Sequence, residues 1–208
     1  RNVFHEAANC LKHSRIFVFG EAFLMITQTA PWALTQQTLR RLLNAKDLHQ
    51  RTPLHYAAEL GKFDLVKLLI DSKMLDTVDI LDDDSKTPLV LAIIANHIDV
   101  VEKLLVDGNA SPSPKIDEGT KPQFTPLIVA CRYNNYMAAK LLLDIGGIGL
   151  SSNMTDPEGL GVLHIVAKEG GDAQLIQLLV HSGADPNGVD SFNKWTPISV
   201  SYTHLTLP

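Results

Sequence analysis

The stretch Thr52-Pro53-Leu54-His55-Tyr56-Ala57-Ala58 recurs along the chain, and that recurrence decides the fold. Its copies are Thr87-Pro88-Leu89-Val90-Leu91-Ala92, Thr125-Pro126-Leu127-Ile128-Val129-Ala130 and Gly161-Val162-Leu163-His164-Ile165-Val166-Ala167, and Thr196-Pro197-Ile198 opens another. They begin 35, 38, 36 and 35 residues apart, a period that belongs to stacked repeats rather than to a folded chain without internal symmetry. The phrase is a helix start. Thr at the N-cap can accept a free helix N–H, and Pro at the first helical position loses no hydrogen bond while its φ is already helical. Each copy is followed by a second apolar, amphipathic run, at 63–70, 98–106, 137–143 and 173–180, so each unit predicts two helices. Gly or a polar turn closes the second run, as in Asp107-Gly108-Asn109-Ala110 and Ser182-Gly183-Ala184-Asp185-Pro186-Asn187, where Gly is expected to supply the left-handed closing residue.

Together the phrase, the short turn at Gly61 or Asn96, the Leu-rich second run and the Gly183-Ala184-Asp185-Pro186-Asn187 tail resemble the ankyrin repeat, a helix pair with a projecting hairpin finger. The expected fold is an all-α ankyrin-repeat solenoid over residues 1–198, with units starting near 51, 86, 124, 160 and 195, about five full units and a truncated sixth. The first unit, 1–50, is atypical. Asn2-Val3-Phe4-His5-Glu6-Ala7-Ala8 matches the phrase, but about 15 extra residues lie within 11–36 when it is held to a repeat of about 33. A second irregularity, 109–123, replaces the compact finger with a Pro-rich loop expected to be mobile. Residues 199–208 carry no apolar period, and the string Val200-Ser201-Tyr202-Thr203-His204-Leu205-Thr206-Leu207-Pro208 resembles a translated sequencing adaptor. They are read as a non-native tail, outside the fold.

Composition narrows the function classes. The 208 residues are 45% hydrophobic and 20% charged, a globular mix, and the net charge of −5 is scattered, so no basic stripe is available for a nucleic acid. The longest apolar run, 89–95, is far shorter than the roughly 18 to 20 residues that cross a bilayer. Cys10 and Cys131 stand apart without metal-ligand spacing, which fits a reducing compartment and an expected location in cytoplasm and nucleus. Residue 1 is Arg and the apolar patch 16–19 is too short for a signal segment, so the chain reads as an interior stretch of a longer protein.

No residue set points to catalysis. His5, His55 and His164 share the fourth position of the phrase, where a histidine is expected to hydrogen-bond neighbouring loops, and no His pair has zinc-hydrolase spacing. The run Asp76, Asp79, Asp82, Asp83, Asp84 lacks the alternation and central Gly of a calcium loop and falls where a solvated finger tip belongs. Gly146-Gly147-Ile148-Gly149 has no Lys-Ser/Thr after it and follows a helix, so it is read as a helix exit and not a phosphate cradle. Neither metal nor cofactor is expected, and no Ser, Cys or Thr carries a nucleophile signature.

Binding is the expected activity, on the finger tips and the exposed ends of the first helices. By analogy with other ankyrin proteins those positions are His49, Arg51, Glu59 and Leu60; then Asp83, Asp84, Lys86 and Ile94; then Lys121, Phe124, Arg132 and Tyr133; then Glu158, Leu160, Lys168 and Glu169; and finally Phe192, Lys194 and Trp195. Aromatics and Arg dominate interface energetics, which singles out Phe124, Arg132, Tyr133 and Trp195.

Unit-specific phrases narrow the resemblance further. Asn2-Val3-Phe4-His5-Glu6-Ala7-Ala8-Asn9-Cys10, Arg51 to Lys62, Asp84 to Ile93, Leu163 to Lys168, and Gly183 through Phe192-Asn193-Lys194-Trp195-Thr196-Pro197-Ile198 resemble the ankyrin region of the fungal SPX–ankyrin–glycerophosphodiesterase-like family, on its branch of phosphate-starvation inhibitors of a cyclin-dependent kinase. The resemblance implies a partner, the cyclin–cyclin-dependent kinase complex, blocked when phosphate is scarce so that it stops phosphorylating its transcription factor. It implies an inositol pyrophosphate signal acting through a domain outside these residues. In that light Ser113-Pro114-Lys115-Ile116 resembles a substrate of the same kinase class, and a phosphate on Ser113 would add about −1.5 to −2 charges. Two alternatives stay open: the ankyrin segment of an SPX-containing glycerophosphodiester phosphodiesterase, and a generic ankyrin scaffold.

Overall fold

A computed structural model describes residues 36–113, 125–145 and 155–205, with side chains to 202. His5, Cys10, Lys121, Phe124, Gly146 to Gly149 and most of the 11–36 and 109–123 irregularities lie outside the described residues. The chain divides into two compact units, 1–110 and 111–208.

In the first unit, α1 (Gln36–Leu43) is followed by the pair α2 (Pro53–Glu59) and α3 (Phe63–Asp71) and the pair α4 (Pro88–Ile94) and α5 (Ile98–Val106). Within this unit α2 packs on α3 and α4, α4 on α5, and α3 on α5, so first helices stack on first helices and second on second. The second unit repeats the scheme: α6 (Pro126–Arg132) with α7 (Tyr136–Asp144), α8 (Val162–Lys168) with α9 (Ala173–His181), and α10 (Pro197–Leu205), with α6, α8 and α10 stacked in turn. Each unit is thus the helix-pair arrangement of an all-α ankyrin solenoid. The described residues contain no strand, only an isolated bridge between Thr155 and Gly161.

The Thr-Pro phrase starts helices by the expected chemistry. Thr87 Oγ1 accepts from Val90 N at 3.3 Å and Thr125 Oγ1 from Ile128 N at 3.4 Å. At Thr52 the cap is reciprocal, since His55 Nδ1 lies 3.1 Å from the donating Thr52 N and 2.9 Å from Thr52 Oγ1. First helices close on a left-handed residue, Gly61 (φ +63°), Asn96 (+60°), Asn134 (+49°) or Gly170 (+67°), which reverses the chain into the second helix.

Two expectations are corrected. At 107–110 the left-handed residue is Asn109 (φ +51°), not Gly108; Gly108 serves close packing instead, because a Cβ there would stand 2.7 Å from the Leu104 carbonyl oxygen. Past Ile198 the chain continues as helix to Leu205 rather than as a patternless tail, and Val200 is buried. The Thr196-Pro197 start carries the same N-terminal chemistry as the other units, while Ile198 and Tyr202 stay exposed on α10.

Candidate functional site

The fingers are built on a recurring aspartate. Asp47 Oδ1 accepts from His49 N at 2.8 Å and Arg51 N at 2.9 Å, and Asp82 Oδ1 from Asp84 N at 3.0 Å and Lys86 N at 2.9 Å. Asp156 Oδ1 accepts from Leu160 N at 2.9 Å, and Asp190 Oδ1 from the backbone N–H of Phe192, Asn193 and Lys194. Each turn also places one residue in the left-handed region: Gln50 (φ +57°), Ser85 (+60°), Gly159 (+72°) and Lys194 (+59°). An Asp whose carboxylate gathers the N–H groups ahead of it is a self-contained turn. The sequence carried the signal, in Asp at 47, 82, 156 and 190 just before the phrases at 52, 87, 161 and 196, but the run of Asp around 82 concealed which one is structural.

The second carboxylate oxygen ties the turn to its surroundings. Asp47 Oδ2 accepts from Tyr56 OH at 2.6 Å, Asp82 Oδ2 from Arg51 Nε at 3.1 Å, and Asp156 Oδ2 from an Arg132 guanidinium N–H at 2.9 Å. Arg51 also donates to Glu59 Oε2 at 2.9 Å and lies 5.6 Å from the Tyr56 ring centroid, so one guanidinium joins two fingers and a helix end. Burial pushes the Asp47 carboxyl up, but the Tyr56 hydroxyl and the backbone donors outweigh it and hold it below its usual value. Burial and the same contact push the Tyr56 phenol up to about 12.

The shared histidine position follows the expected pattern at His164. His164 Nε2 meets the Trp195 carbonyl at 2.8 Å, tying α8 to the last finger. His55 is fully buried, with the Lys86 and Ile80 backbone near its ring, and its Nε2 makes no hydrogen bond of normal geometry. Burial pushes His55 down to about 4, so its ring is neutral at pH 7.

Many of the residues read as contacts are engaged within the chain. Arg51 and Glu59 pair as described, Lys86 Nζ meets Asp84 Oδ2 at 3.1 Å, Arg132 holds Asp156, and Lys168 Nζ meets Glu158 Oε2 at 2.8 Å. Leu160 is buried and Ile94 half-buried, so Leu160 presents no side chain to a partner. His49, Leu60, Asp83, Glu169 and Lys194 are exposed. On the second unit Tyr133, Phe192 and Trp195 are 54%, 72% and 42% exposed, and the Phe192 ring rests against the Gly159 backbone, where a Cβ would stand 3.0 Å from it. Leu48, missed in the sequence, projects from the tip of the first finger almost fully exposed. Ser113 is exposed as well.

No three His, Cys, Asp or Glu side chains converge as metal ligands among the described residues, and no described helix is long and apolar enough to cross a membrane. Cys131 is buried and its thiol pushed up to about 12 by that burial, which keeps it protonated and unreactive.

Stacked helix pairs with Asp-pinned fingers and exposed tips define a class of repeat protein. The family model for ankyrin repeats (3 copies) matches residues 32–116, 76–156 and 113–190, and the chain belongs to the ankyrin-repeat family. Over 95% of its length it is 50% identical to the phosphate system positive regulatory protein PHO81 of Saccharomyces cerevisiae, of which it covers 18%. It is 30% identical to the ankyrin repeat protein nuc-2 of Neurospora crassa, over 95% of this chain and 16% of that one. Similarity to the glycerophosphocholine phosphodiesterase GDE1 of Candida albicans is 29% over 78% of this chain and 14% of that protein. The chain spans less than a fifth of the length of each of these relatives.

Proposed function

We propose that this chain is the non-catalytic, partner-binding ankyrin region of a phosphate-system regulator, and that the partner is a cyclin–cyclin-dependent kinase complex held inactive by the bound repeats. The observation that carries this reading is the 50% identity over 95% of the chain to a phosphate-system regulator. The relative is named a positive regulator, and inhibition of a kinase that itself opposes the phosphate response is positive regulation of that response. The match to the phosphodiesterase is weaker and shorter, 29% over 78%, so the regulatory reading is favoured over the enzyme-associated one. The protein works in cytoplasm and nucleus, and any inositol pyrophosphate acts through another domain.

The binding face on the second unit is centred on Tyr133 at the C-terminal end of α6 and on Phe192 and Trp195 of the last finger, exposed aromatics whose burial against a partner yields the most free energy. Ser113 is a candidate substrate of the bound kinase. The test is a titration of the 208-residue chain against the phosphate-pathway cyclin–kinase complex, following affinity and kinase activity together. Inhibition that tracks binding is expected. Tyr133→Ala combined with Trp195→Ala should weaken binding at least tenfold, the loss of about 1.4 kcal/mol or more. The exposed Val106 on α5, changed to Ser, should leave it unaltered. A folded chain that neither binds nor inhibits overturns the reading. Mass spectrometry after incubation with active kinase should find phosphate on Ser113; an unmodified Ser113 removes the substrate role.

A further inference from the structure

Among the described fingers the last one leaves one oxygen of its aspartate unpaired. Asp47, Asp82 and Asp156 each have their second carboxylate oxygen held, by Tyr56, Arg51 and Arg132, whereas Asp190 Oδ2 is buried without a hydrogen-bond partner on a residue only 2% exposed. A buried carboxylate oxygen left unpaired is costly, so a donor within reach has a standing reason to move there.

A cationic donor stands at the matching repeat position. Arg132 is the seventh and last residue of α6, and Lys168 is the seventh and last residue of α8. Arg132 turns to the finger that follows its helix and holds Asp156. By the same register Lys168 belongs to Asp190, yet its ammonium sits 2.8 Å from Glu158 Oε2, at the tip of the preceding finger. Glu158 is exposed, so that pair is screened by solvent and easily exchanged. The two finger tips are already in contact, since Ser191 N donates to the Gly159 carbonyl at 3.2 Å and Phe192 lies over Gly159.

We propose that Lys168 is a two-position latch between Glu158 and Asp190, and that Glu158 is the docking carboxylate for a basic side chain of the partner. A partner arginine that takes Glu158 releases the Lys168 ammonium, which closes on Asp190 Oδ2 and completes the tie that the other fingers already have. One surface ion pair is thereby exchanged for an intermolecular pair and a buried one, with no charge left unmatched. The closed latch joins the end of α8 to the finger that carries Phe192 and Trp195, so docking at Glu158 fixes the neighbouring aromatics. The identity of the partner rests on the function proposed above; the latch does not.

The test needs no kinase. In the full chain, Glu158→Gln removes the competing carboxylate at an exposed position, and nuclear magnetic resonance follows the Lys168 ammonium and the titration of the Asp190 carboxyl. The expected result is contact between Lys168 Nζ and Asp190, with the Asp190 midpoint about half a unit or more lower than in the Glu158→Gln, Lys168→Met double variant. Tri-arginine amide added to the wild-type chain should shift Asp190 in the same direction, and should lose that effect in Glu158→Gln. Identical Asp190 titrations in the single and double variants overturn the latch. An Asp190 signal that ignores tri-arginine overturns the docking role of Glu158. Failure of the kinase complex to bind would instead count against the proposed function alone.

Discussion

Asp82 and Asp84 are separated by one residue in the same finger and meet different surroundings. The Asp82 side chain is almost wholly buried, takes two backbone N–H groups on one oxygen and the Arg51 guanidinium on the other. Asp84 points to solvent and pairs only with Lys86. Asp82→Ala frees two N–H groups and leaves the partly buried Arg51 guanidinium with Glu59 as its remaining carboxylate, which should cost about 2 to 4 kcal/mol, while Asp84→Ala should fall within about 0.5 kcal/mol of wild type. Urea unfolding midpoints compare the two directly. His55 supplies a pH dependence with a definite sign. Burial pushes its native ring down to about 4 from an unfolded value of 6.5, so between those limits the unfolded chain binds a proton the native state refuses. Its contribution to stability is complete above the unfolded value and is lost as the pH falls toward 4, a span of about 3 kcal/mol. The urea midpoint should therefore drop between pH 7 and pH 4.5, and His55→Gln should flatten that drop; an equal drop in both proteins would remove His55 as its cause.

At the scale of the element, the turn from first to second helix in each pair requires positive φ, and the two glycines that supply it differ in their surroundings. Gly61 (φ +63°) lies under the His97 ring, where a Cβ would come within 2.5 Å of ring atoms. Gly170 (φ +67°) has nothing within 4 Å. Gly170→Ala should cost only the backbone strain, about 1 kcal/mol, and Gly61→Ala that amount plus displacement of His97 from the start of α5. Thermal melts of the two variants separate the terms, and equal losses would show that His97 yields freely. These helices were legible because their signals are local: Thr-Pro at the start, period 3.6 along the body, Gly or Asn at the turn. The observed second helices, 63–71, 98–106, 136–144 and 173–181, depart from the apolar runs by a residue or so at their ends. The finger chemistry was less legible. Arg51, Arg132 and Lys168 look like free charges in the sequence because their partners lie 24 to 31 residues away or on a neighbouring tip, and a one-dimensional reading weighs exposure without those pairings. Leu160 was misplaced for the related reason that an Asp turn can fold its last residue inward.

At the scale of the whole molecule, stability in stacked repeats is carried by nearest-neighbour interfaces, so the same residue type at the same repeat position can matter greatly or hardly at all. The second residue of each first helix shows this. Leu54, Leu89, Leu127 and Leu163 are buried, while Ile198 on α10 is 77% exposed. Ile176 on α9 is exposed too. Both side chains line one apolar groove of about 650 Å³ bounded by α8, α9 and α10. At Ile198 repeat register therefore fails as a guide to energetics, and burial decides. Leu127→Ala removes methylenes from a filled interior and should cost about 2 to 5 kcal/mol, most of the stability of a marginal unit. Ile198→Ala removes them from water and should change the unfolding midpoint by less than about 0.5 kcal/mol. A loss at Ile198 comparable with that at Leu127 would mean that the groove is covered in solution, and hydrogen exchange along α9 and α10 would then locate the cover.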